Sequence, residues 1–177
     1  MKLVILDRDG VINYESPEFI KKPDEWRPLP GSLEAIADLN QHGFRVVVAT
    51  NQSGVGRGLF DMATLNAIHD KMHKALMHVG GRIDAVFYCP HAQDAGCGCR
   101  KPKAGLLEDI AHRFNTDLIK VPCVGDSLRD LQAAHAVDAL PILVLTGKGA
   151  QTAAAGNLPP GTRTYADLRE AAKSIVQ

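Results

Sequence analysis

The sequence predicts an α/β fold, a Rossmann-like three-layer sandwich in which helices cover both faces of a central parallel β-sheet. Short hydrophobic segments alternate with amphipathic helical patterns along the whole chain, and this order is typical of a parallel sheet. The hydrophobic segments are β-branched and nearly continuous, as strands buried on both faces are. The 177 residues contain no repeat and no long linker, so we expect one domain spanning residues 1–177.

The individual elements follow from hydrophobic periodicity. The predicted strands are 3–7, 44–50, 84–89, 120–125 and 141–145. The predicted helices are 32–42, 61–79, 103–115, 127–137 and 165–176. In the second helix, hydrophobic residues recur every three or four positions from Leu65 to Val79 and form one stripe. Gly43 and Gly80 are typical of residues that end helices.

Composition narrows the classes of partner. Twenty basic residues balance twenty acidic ones, which gives no support for bulk attraction to nucleic acid or to an anionic membrane. No hydrophobic run approaches the roughly 20 residues of a membrane span, and the N-terminus has no secretory pattern. We therefore expect a cytoplasmic, monomeric protein that acts on a small molecule. In that compartment the four cysteines are expected to be thiols or metal ligands rather than disulfides.

Polar side chains follow the predicted strands where each strand ends. Asp7 and Asp9 follow the first strand, residues 50–53 (Thr-Asn-Gln-Ser) end the second, and Asp126 with Ser127 ends the fourth. Parallel sheets bind ligands beyond the carboxyl ends of their strands, so we expect these groups to converge. Three carboxylates at such an edge indicate a hard cation such as Mg²⁺, which prefers oxygen ligands.

A phosphoryl-transfer site is the chemistry these residue types favour. Asp7 is a candidate nucleophile, since carboxylates form aspartyl-phosphates, and Asp9 a candidate general acid and base. Thr50 and Lys101 are candidates to hold the phosphoryl group. The alternative is that Asp7 and Asp9 only end a strand in a turn. Asp130 is expected either to support the metal indirectly or to be a solvated helix residue.

A second cluster combines cysteine and histidine. Cys89-x-His91 and Cys97-x-Cys99 are separated by five residues and supply the ligands of a closed, structural zinc site. We call residues 89–99 the cysteine loop. The alternatives are a reactive or disulfide-forming pair, or inert thiols. His69 and His73 also have a ligand spacing, but they flank the hydrophobic stripe without the glutamate of zinc proteases, so we interpret them as a solvated or packed helix face.

The segment Asp7-Arg8-Asp9-Gly10-Val11, together with Thr50, Lys101 and Gly125-Asp126, resembles the four motifs of the haloacid dehalogenase-like phosphohydrolases, in order and over nearly the whole chain. The resemblance implies that Asp7 attacks phosphorus and Asp9 shuttles the proton. It implies that Mg²⁺ is held by Asp7, the backbone carbonyl of Asp9, and Asp126. It also implies a strand order of 5-4-1-2-3 and, because no insertion has room for a cap domain, a minimal cap made of loops that include the cysteine loop.

Within that family, the cysteine loop resembles a zinc-loop subgroup with two activities, hydrolysis of a sugar bisphosphate and hydrolysis of histidinol phosphate. The turn Thr50–Gly54 followed by Arg57-Gly58 favours the sugar bisphosphate, and with it a step in making lipopolysaccharide core. A binding module without catalysis is a third alternative. The expected substrate-binding residues are Glu15, Ser16, Pro17, Glu18, Asn51, Gln52, Ser53, Arg100 and Ser127, while the role of Arg57 stays open.

Overall fold

The computed structural model describes residues 1–177. Six strands alternate with seven α-helices and one short 3₁₀ helix, Pro23–Glu25. The strands are β1 (Leu3–Leu6), β2 (Arg45–Asn51), β3 (Ala85–Cys89), β4 (Pro122–Gly125), β5 (Leu140–Val144) and β6 (Arg163–Tyr165). The helices are α1 (Ser32–Gln41), α2 (Ser53–Gly56), α3 (Met62–His78), α4 (Gly105–Phe114), α5 (Leu128–Ala136), α6 (Gly149–Ala155) and α7 (Leu168–Val176).

All six strands form one parallel sheet in the order β3-β2-β1-β4-β5-β6. Read from the other edge this is 6-5-4-1-2-3, so the predicted order of 5-4-1-2-3 lacks one edge strand. The prediction missed β6 because it has only three residues, of which Arg163 and Thr164 are exposed. The observed helix α7 is shorter than the predicted helix at 165–176, since it begins at Leu168.

Two hydrophobic clusters lie on opposite faces of the sheet. Val4 and Leu6 of β1 belong to one cluster, and Leu3 and Ile5 belong to the other, because successive side chains of a strand point to opposite faces. The first cluster includes buried residues of α1, α3 and α7, and the second includes buried residues of α4 and α5. Helices therefore cover both faces, which confirms the predicted three-layer sandwich.

The central position of β1 determines where the polar residues meet. β1 pairs with β2 on one side and with β4 on the other, so the carboxyl ends of these three strands are adjacent. None of the helices is both long enough and hydrophobic enough to cross a membrane.

Candidate active site

A pocket of about 390 Å³ lies at the carboxyl edge of the sheet. Of its 18 lining residues one is hydrophobic, so it suits a highly polar ligand. Most of the predicted site residues line it. These are Asp7, Asp9, Glu15, Ser16, Pro17, Thr50, Asn51, Ser53, Arg100, Lys101, Asp126 and Ser127, joined by Arg57 and Asp130.

Three carboxylates meet at the base of this pocket. Oxygens of Asp7, Asp126 and Asp130 all lie within 4.8 Å of one another, and we call these residues the acid cluster. Gly10 permits Asp126 to approach the loop after β1 closely, because the φ of Gly10 is +84° and a Cβ atom there would overlap the Asp126 carboxylate. The sequence predicted the convergence of Asp7 with Asp126; the third carboxylate belongs to Asp130 and not to Asp9.

The electrostatics of the acid cluster favour a bound cation. Burial and the charge of Asp130 raise the pKa of Asp7 to about 7, against the opposing effect of Lys101. Burial and the charges of Asp7 and Asp130 raise the pKa of Asp126 to about 8. Neighbouring carboxylates disfavour one another's ionisation, so the cluster cannot be fully ionised near neutral pH without a further positive charge. Clustered, partly buried carboxylates of this kind fit Mg²⁺.

Lys101 is a buried cation beside the acid cluster. Its Nζ lies 2.6 Å from Asp130 Oδ1 and 3.2 Å from Asp7 Oδ1, and it donates a hydrogen bond to the carbonyl of Ala49 at 2.7 Å. Burial lowers the pKa of Lys101, but the two carboxylates outweigh that effect and raise it above its usual value. Lys101 is therefore charged at neutral pH, and it lines the pocket that an anionic ligand would enter.

Asn51 holds the backbone of Lys101 in place. Its amide donates to the Lys101 carbonyl at 3.1 Å and accepts from the Lys101 backbone nitrogen at 3.0 Å. Both ends of the Asn51 amide are thus occupied. Asn51 lines the pocket, as predicted, but its hydrogen bonds are directed to Lys101.

Asp130 connects Lys101 to the start of α5. Its Oδ2 accepts from the backbone nitrogens of Asp126 and Ser127, at 3.2 and 3.1 Å, and from the Ser127 hydroxyl at 3.0 Å. These contacts form a capping box that begins α5. Although burial raises its pKa, Lys101 lowers it below its usual value. Of the two expectations for Asp130, the solvated helix residue is wrong, since the side chain is buried.

Asp9 lies in a different environment from Asp7, two residues away. Its Oδ1 accepts from Arg8 Nε and from Asn13 Nδ2, both at 2.9 Å, and its Oδ2 accepts from Gln52 Nε2 at 3.2 Å. Burial raises the pKa of Asp9, but Arg8 and these hydrogen bonds lower it below its usual value. Asp9 is therefore ionised in the ligand-free protein.

Gln52 and Glu18 were expected to bind substrate, and neither lines this pocket. The buried Gln52 donates to Thr50 Oγ1 at 3.0 Å as well as to Asp9, so it lies behind the pocket and supports two of its walls. Glu18 belongs to a neighbouring surface depression.

Four lining residues were not among the sequence candidates. They are Phe19, Gln93, Arg129 and Lys148. Lys148 donates its backbone N–H to Asp126 Oδ2 at 2.9 Å, and its Nζ lies 3.7 Å from Glu15 Oε2. Lys148 follows the fifth strand, so the rule that found Asp7 and Asp126 would have found it if applied to every strand end.

The cysteine loop brings its four candidate ligands together. Ligand atoms of Cys89, His91, Cys97 and Cys99 all lie within 4.8 Å of one another. Cys99 Sγ is 2.9 Å from Cys89 Sγ and 3.2 Å from His91 Nδ1. All four cysteines of the chain are free thiols, so the structure contains no disulfide.

The thiols of this loop also favour a cation. Burial and the neighbouring sulfurs raise the pKa of Cys99 to about 12. Hydrogen bonds from the Arg100 backbone and the other ligands lower the pKa of Cys97 to about 6, although burial opposes them. The shifts are opposite because nearby thiols cannot all ionise together. A metal ion that binds thiolates removes this conflict, and three thiols with one imidazole fit tetrahedral Zn²⁺.

The comparisons with known proteins agree with this geometry. A family model described as HAD-hydrolase-like matches residues 98–171. The chain is 60% identical over its whole length to the D-glycero-β-D-manno-heptose-1,7-bisphosphate 7-phosphatase of Bordetella bronchiseptica, and covers 99% of that protein. It is 50% identical to the enzyme of the same name from Pseudomonas aeruginosa, over 99% of this chain and 98% of that protein.

Two solved structures have the same fold. The D,D-heptose 1,7-bisphosphate phosphatase of B. bronchiseptica, complexed with magnesium and phosphate, matches 100% of this chain and 99% of its own with a TM-score of 0.99 and 60% identity. The corresponding enzyme of Burkholderia thailandensis matches the same shares with a TM-score of 0.81 and 58% identity.

Proposed function

We propose that this chain, which belongs to the D-glycero-β-D-manno-heptose-1,7-bisphosphate 7-phosphatases of the haloacid dehalogenase-like hydrolases, removes the 7-phosphate of the heptose bisphosphate. The proposed reaction proceeds through an aspartyl-phosphate. The observation that carries the proposal is the placement of Asp7. Its carboxylate lies at the base of a polar pocket, 3.2 Å from the Lys101 ammonium and beside two further carboxylates.

Asp7 is the proposed nucleophile. Its carboxylate oxygen attacks phosphorus and forms the aspartyl-phosphate, while the bond from phosphorus to the sugar oxygen breaks. Lys101 and the Thr50 hydroxyl bind the transferring phosphoryl oxygens and offset their charge, which is the main task in phosphoryl transfer. In the second half, water attacks the same phosphorus, the acyl-phosphate bond breaks, and Asp7 is regenerated with release of phosphate.

Asp9 is the proposed proton carrier in both halves. It gives a proton to the departing sugar oxygen and later takes one from the attacking water. In the ligand-free protein Asp9 is ionised because Arg8 and two amides bind its carboxylate. A phosphate dianion placed beside it raises its pKa, since like charges disfavour ionisation. Substrate binding thus favours the protonated form that the first half requires.

Mg²⁺ would be held by the carboxylates of Asp7 and Asp126 and the backbone carbonyl of Asp9. When bound it neutralises charge on the phosphoryl oxygens and on the carboxylates of the site. Asp130, whose oxygens already bind Lys101 and the start of α5, supports the site without being a proposed ligand.

Zn²⁺ is proposed as a structural ion of the cysteine loop, bound by Cys89, His91, Cys97 and Cys99. The compact ligand set and the mutual repulsion of its thiolates support it. Arg100 and Lys101 follow Cys99 directly, so the ion would position two cations of the pocket. Arg100 lines the pocket, which supports its proposed role in binding a substrate anion.

We also propose that residues 1–177 form a single domain, monomeric in solution. One continuous sheet that includes strands from Leu3 to Tyr165 supports the single domain. Sedimentation analysis of the purified protein would determine its oligomeric state.

Phosphate release from two substrates tests the proposed function. We expect Mg²⁺-dependent hydrolysis of D-glycero-β-D-manno-heptose 1,7-bisphosphate with kcat/KM at least about a hundredfold above that for histidinol phosphate. The bisphosphate has a second phosphate that histidinol phosphate lacks, and a site built to bind that group discriminates strongly against a substrate without it. The reverse preference would replace the substrate and keep the chemistry. Asp7→Asn keeps the shape of the side chain but removes the attacking charge, and it should lower kcat by at least about a thousandfold. Near-normal activity of Asp7→Asn would contradict the mechanism.

A further inference from the structure

Arg8 is a fully buried cation between the two aspartates of the site. Its side chain is 0% exposed, and its Nε donates to Asp9 Oδ1 at 2.9 Å. Its Nη2 lies 2.9 Å from the same oxygen, in an ionic contact without hydrogen-bond geometry. Asp9 is thus the countercharge of Arg8, and the orientation of one side chain depends on the other.

The remaining nitrogen of the guanidinium is held by α3. Arg8 Nη1 donates to Nε2 of His69 at 3.0 Å, across 61 positions of sequence. Arginine only donates hydrogen bonds, so His69 Nε2 must accept and cannot carry a proton. Burial, the Arg8 charge and His73 lower the pKa of His69 to about 3, which agrees with a neutral ring.

The two carboxylate oxygens of Asp9 differ in their hydrogen bonds because Arg8, held by His69, contacts only one of them. Its Oδ1 accepts from both Arg8 and Asn13, whereas its Oδ2 has a single, longer hydrogen bond from Gln52. The Asp9 side chain is 29% exposed and lines the pocket. Arg8 thus helps to occupy one oxygen and leaves the other for proton exchange with a ligand.

We propose that His69 is a positioning residue for Asp9, acting through Arg8. His69 is fixed in α3 among the buried residues Leu65, Ile68 and Met72, so it is a rigid acceptor that sets the rotation of the guanidinium. That rotation directs Oδ2 of Asp9 toward the leaving oxygen. The inference rests on the proposed function, because it assumes that Asp9 transfers the proton.

The competing explanation is that His69 only fills space in the packing of α3. A leucine of similar volume would fill the same space but would leave Arg8 Nη1 without an acceptor. The two explanations therefore differ in what His69→Leu does to proton transfer, and they agree on what it does to packing.

Leaving-group dependence separates the two explanations. An alkyl phosphate needs a proton on its leaving oxygen, whereas p-nitrophenolate leaves without one, and kcat/KM reports the first irreversible step for both. Displacing a catalytic group by about 1 Å can lower the reaction rate roughly a hundredfold. We expect His69→Leu to lower kcat/KM for the heptose bisphosphate by at least about tenfold, with less than about a threefold loss for p-nitrophenyl phosphate and little change in KM.

Two further variants guard against a folding defect. The amide of His69→Gln reaches the position of Nε2 and retains an acceptor, so it should stay within about threefold of the native kcat/KM for both substrates. His69→Asn is too short to reach Arg8 and should repeat the selective loss. The control is His73→Leu, one turn away on α3 and without a side-chain hydrogen bond or ion pair, which should leave both substrates unchanged.

Equal losses for the two substrates, or a glutamine variant as impaired as the leucine variant, would overturn the inference. Asp9→Asn measured in parallel identifies which proposal fails. If Asp9→Asn shows the selective loss and His69→Leu does not, the role of His69 is wrong and the mechanism stands. If Asp9→Asn shows no selectivity, the proton-transfer role of Asp9 is wrong, and the inference falls with it.

Discussion

Asp130→Asn is expected to lower both stability and activity, because this buried carboxylate joins Lys101 to the start of α5. One of its oxygens accepts from the Asp126 and Ser127 backbones, and the other lies 2.6 Å from Lys101 Nζ. Asparagine has the same shape, but its amide nitrogen only donates. Whichever way the amide turns, it places donors against donors.

The magnitude follows from the contacts that remain. Breaking one side of a buried ion pair costs about 3–5 kcal/mol. Lys101 keeps Asp7 at 3.2 Å and the Ala49 carbonyl at 2.7 Å, so we expect the lower end, about 3 kcal/mol. Without Asp130, the ammonium is drawn toward Asp7 and away from its proposed place beside the phosphoryl oxygens. We therefore expect kcat/KM to fall at least about tenfold.

Urea unfolding measures the stability and phosphate release measures the activity. The slope of the unfolding free energy against urea should stay constant, which would show that the folded and unfolded states are otherwise unchanged. Asp61→Asn is the control. Asp61 caps α3 through an exposed hydrogen bond to the backbone of Thr64, and asparagine is an equally good cap, so that variant should unfold like the native protein.

A double-mutant cycle with Lys101→Met isolates the ion pair. The double variant should lose less unfolding free energy than the sum of the two single losses, since the second change removes a partner that is already unpaired. A loss below about 1 kcal/mol for Asp130→Asn, or fully additive losses in the cycle, would refute the reasoning, since a buried pair that contributes so little is not what holds Lys101.

Three further outcomes follow from individual contacts. Cys99→Ala should lower the zinc content measured by elemental analysis and lower kcat/KM at least about tenfold, with little change in far-UV circular dichroism; zinc retained at one per chain would contradict the ligand set. Gly10→Ala should weaken Mg²⁺ binding in calorimetry more than Gly58→Ala does, because both have positive φ but only the Cβ at Gly10 would overlap the Asp126 carboxylate. The folded-state pKa of His69 is lowered to about 3 from 6.5, so the unfolded state binds more protons between these pH values. The free energy of unfolding should therefore decrease as the pH is lowered below about 6.5, by up to about 1.4 kcal/mol per pH unit. His69→Gln should lose this contribution to the pH dependence, measured by urea unfolding at pH 4 to 7.

The sequence predicted the parts of the fold that are determined by hydrophobic burial. The strands β1, β2, β4 and β5 are recognisable because each is a hydrophobic segment that is largely buried between two helical layers. The edge strand β3 is half-buried, but its five residues are all apolar or aromatic. The strand β6 is an edge strand of three residues whose side chains are largely exposed, so it has no hydrophobic pattern to detect. The short helices α2 and α6 were missed for the same reason, since neither has an apolar stripe.

In the site, sequence position predicted which residues converge but not which way their side chains point. The ends of parallel strands share an edge, so Asp7, Thr50 and Asp126 could be placed together from order alone. The burial of Asp130 and His69 could not, because each depends on a partner far away in the chain. A histidine or an aspartate on a helix has the same local sequence pattern whether it faces solvent or a buried cation.

Two like charges at the end of one hydrophobic strand are tolerated because the chain separates their surroundings. Asp7 faces Lys101 and two other carboxylates, and burial with the charge of Asp130 raises its pKa to about 7. Asp9, two residues on, faces Arg8 and amide donors, which lower its pKa despite burial. Environments that shift two neighbouring acids in opposite directions are how one site assigns them different tasks. The raised acid lies where a divalent cation would restore its charge, as a nucleophile requires, and the lowered one is ionised until an anionic ligand arrives. The alternate positions of Asp7 and Asp9 therefore put both carboxylates in one pocket, while Arg8, between them in sequence, offsets the charge of Asp9.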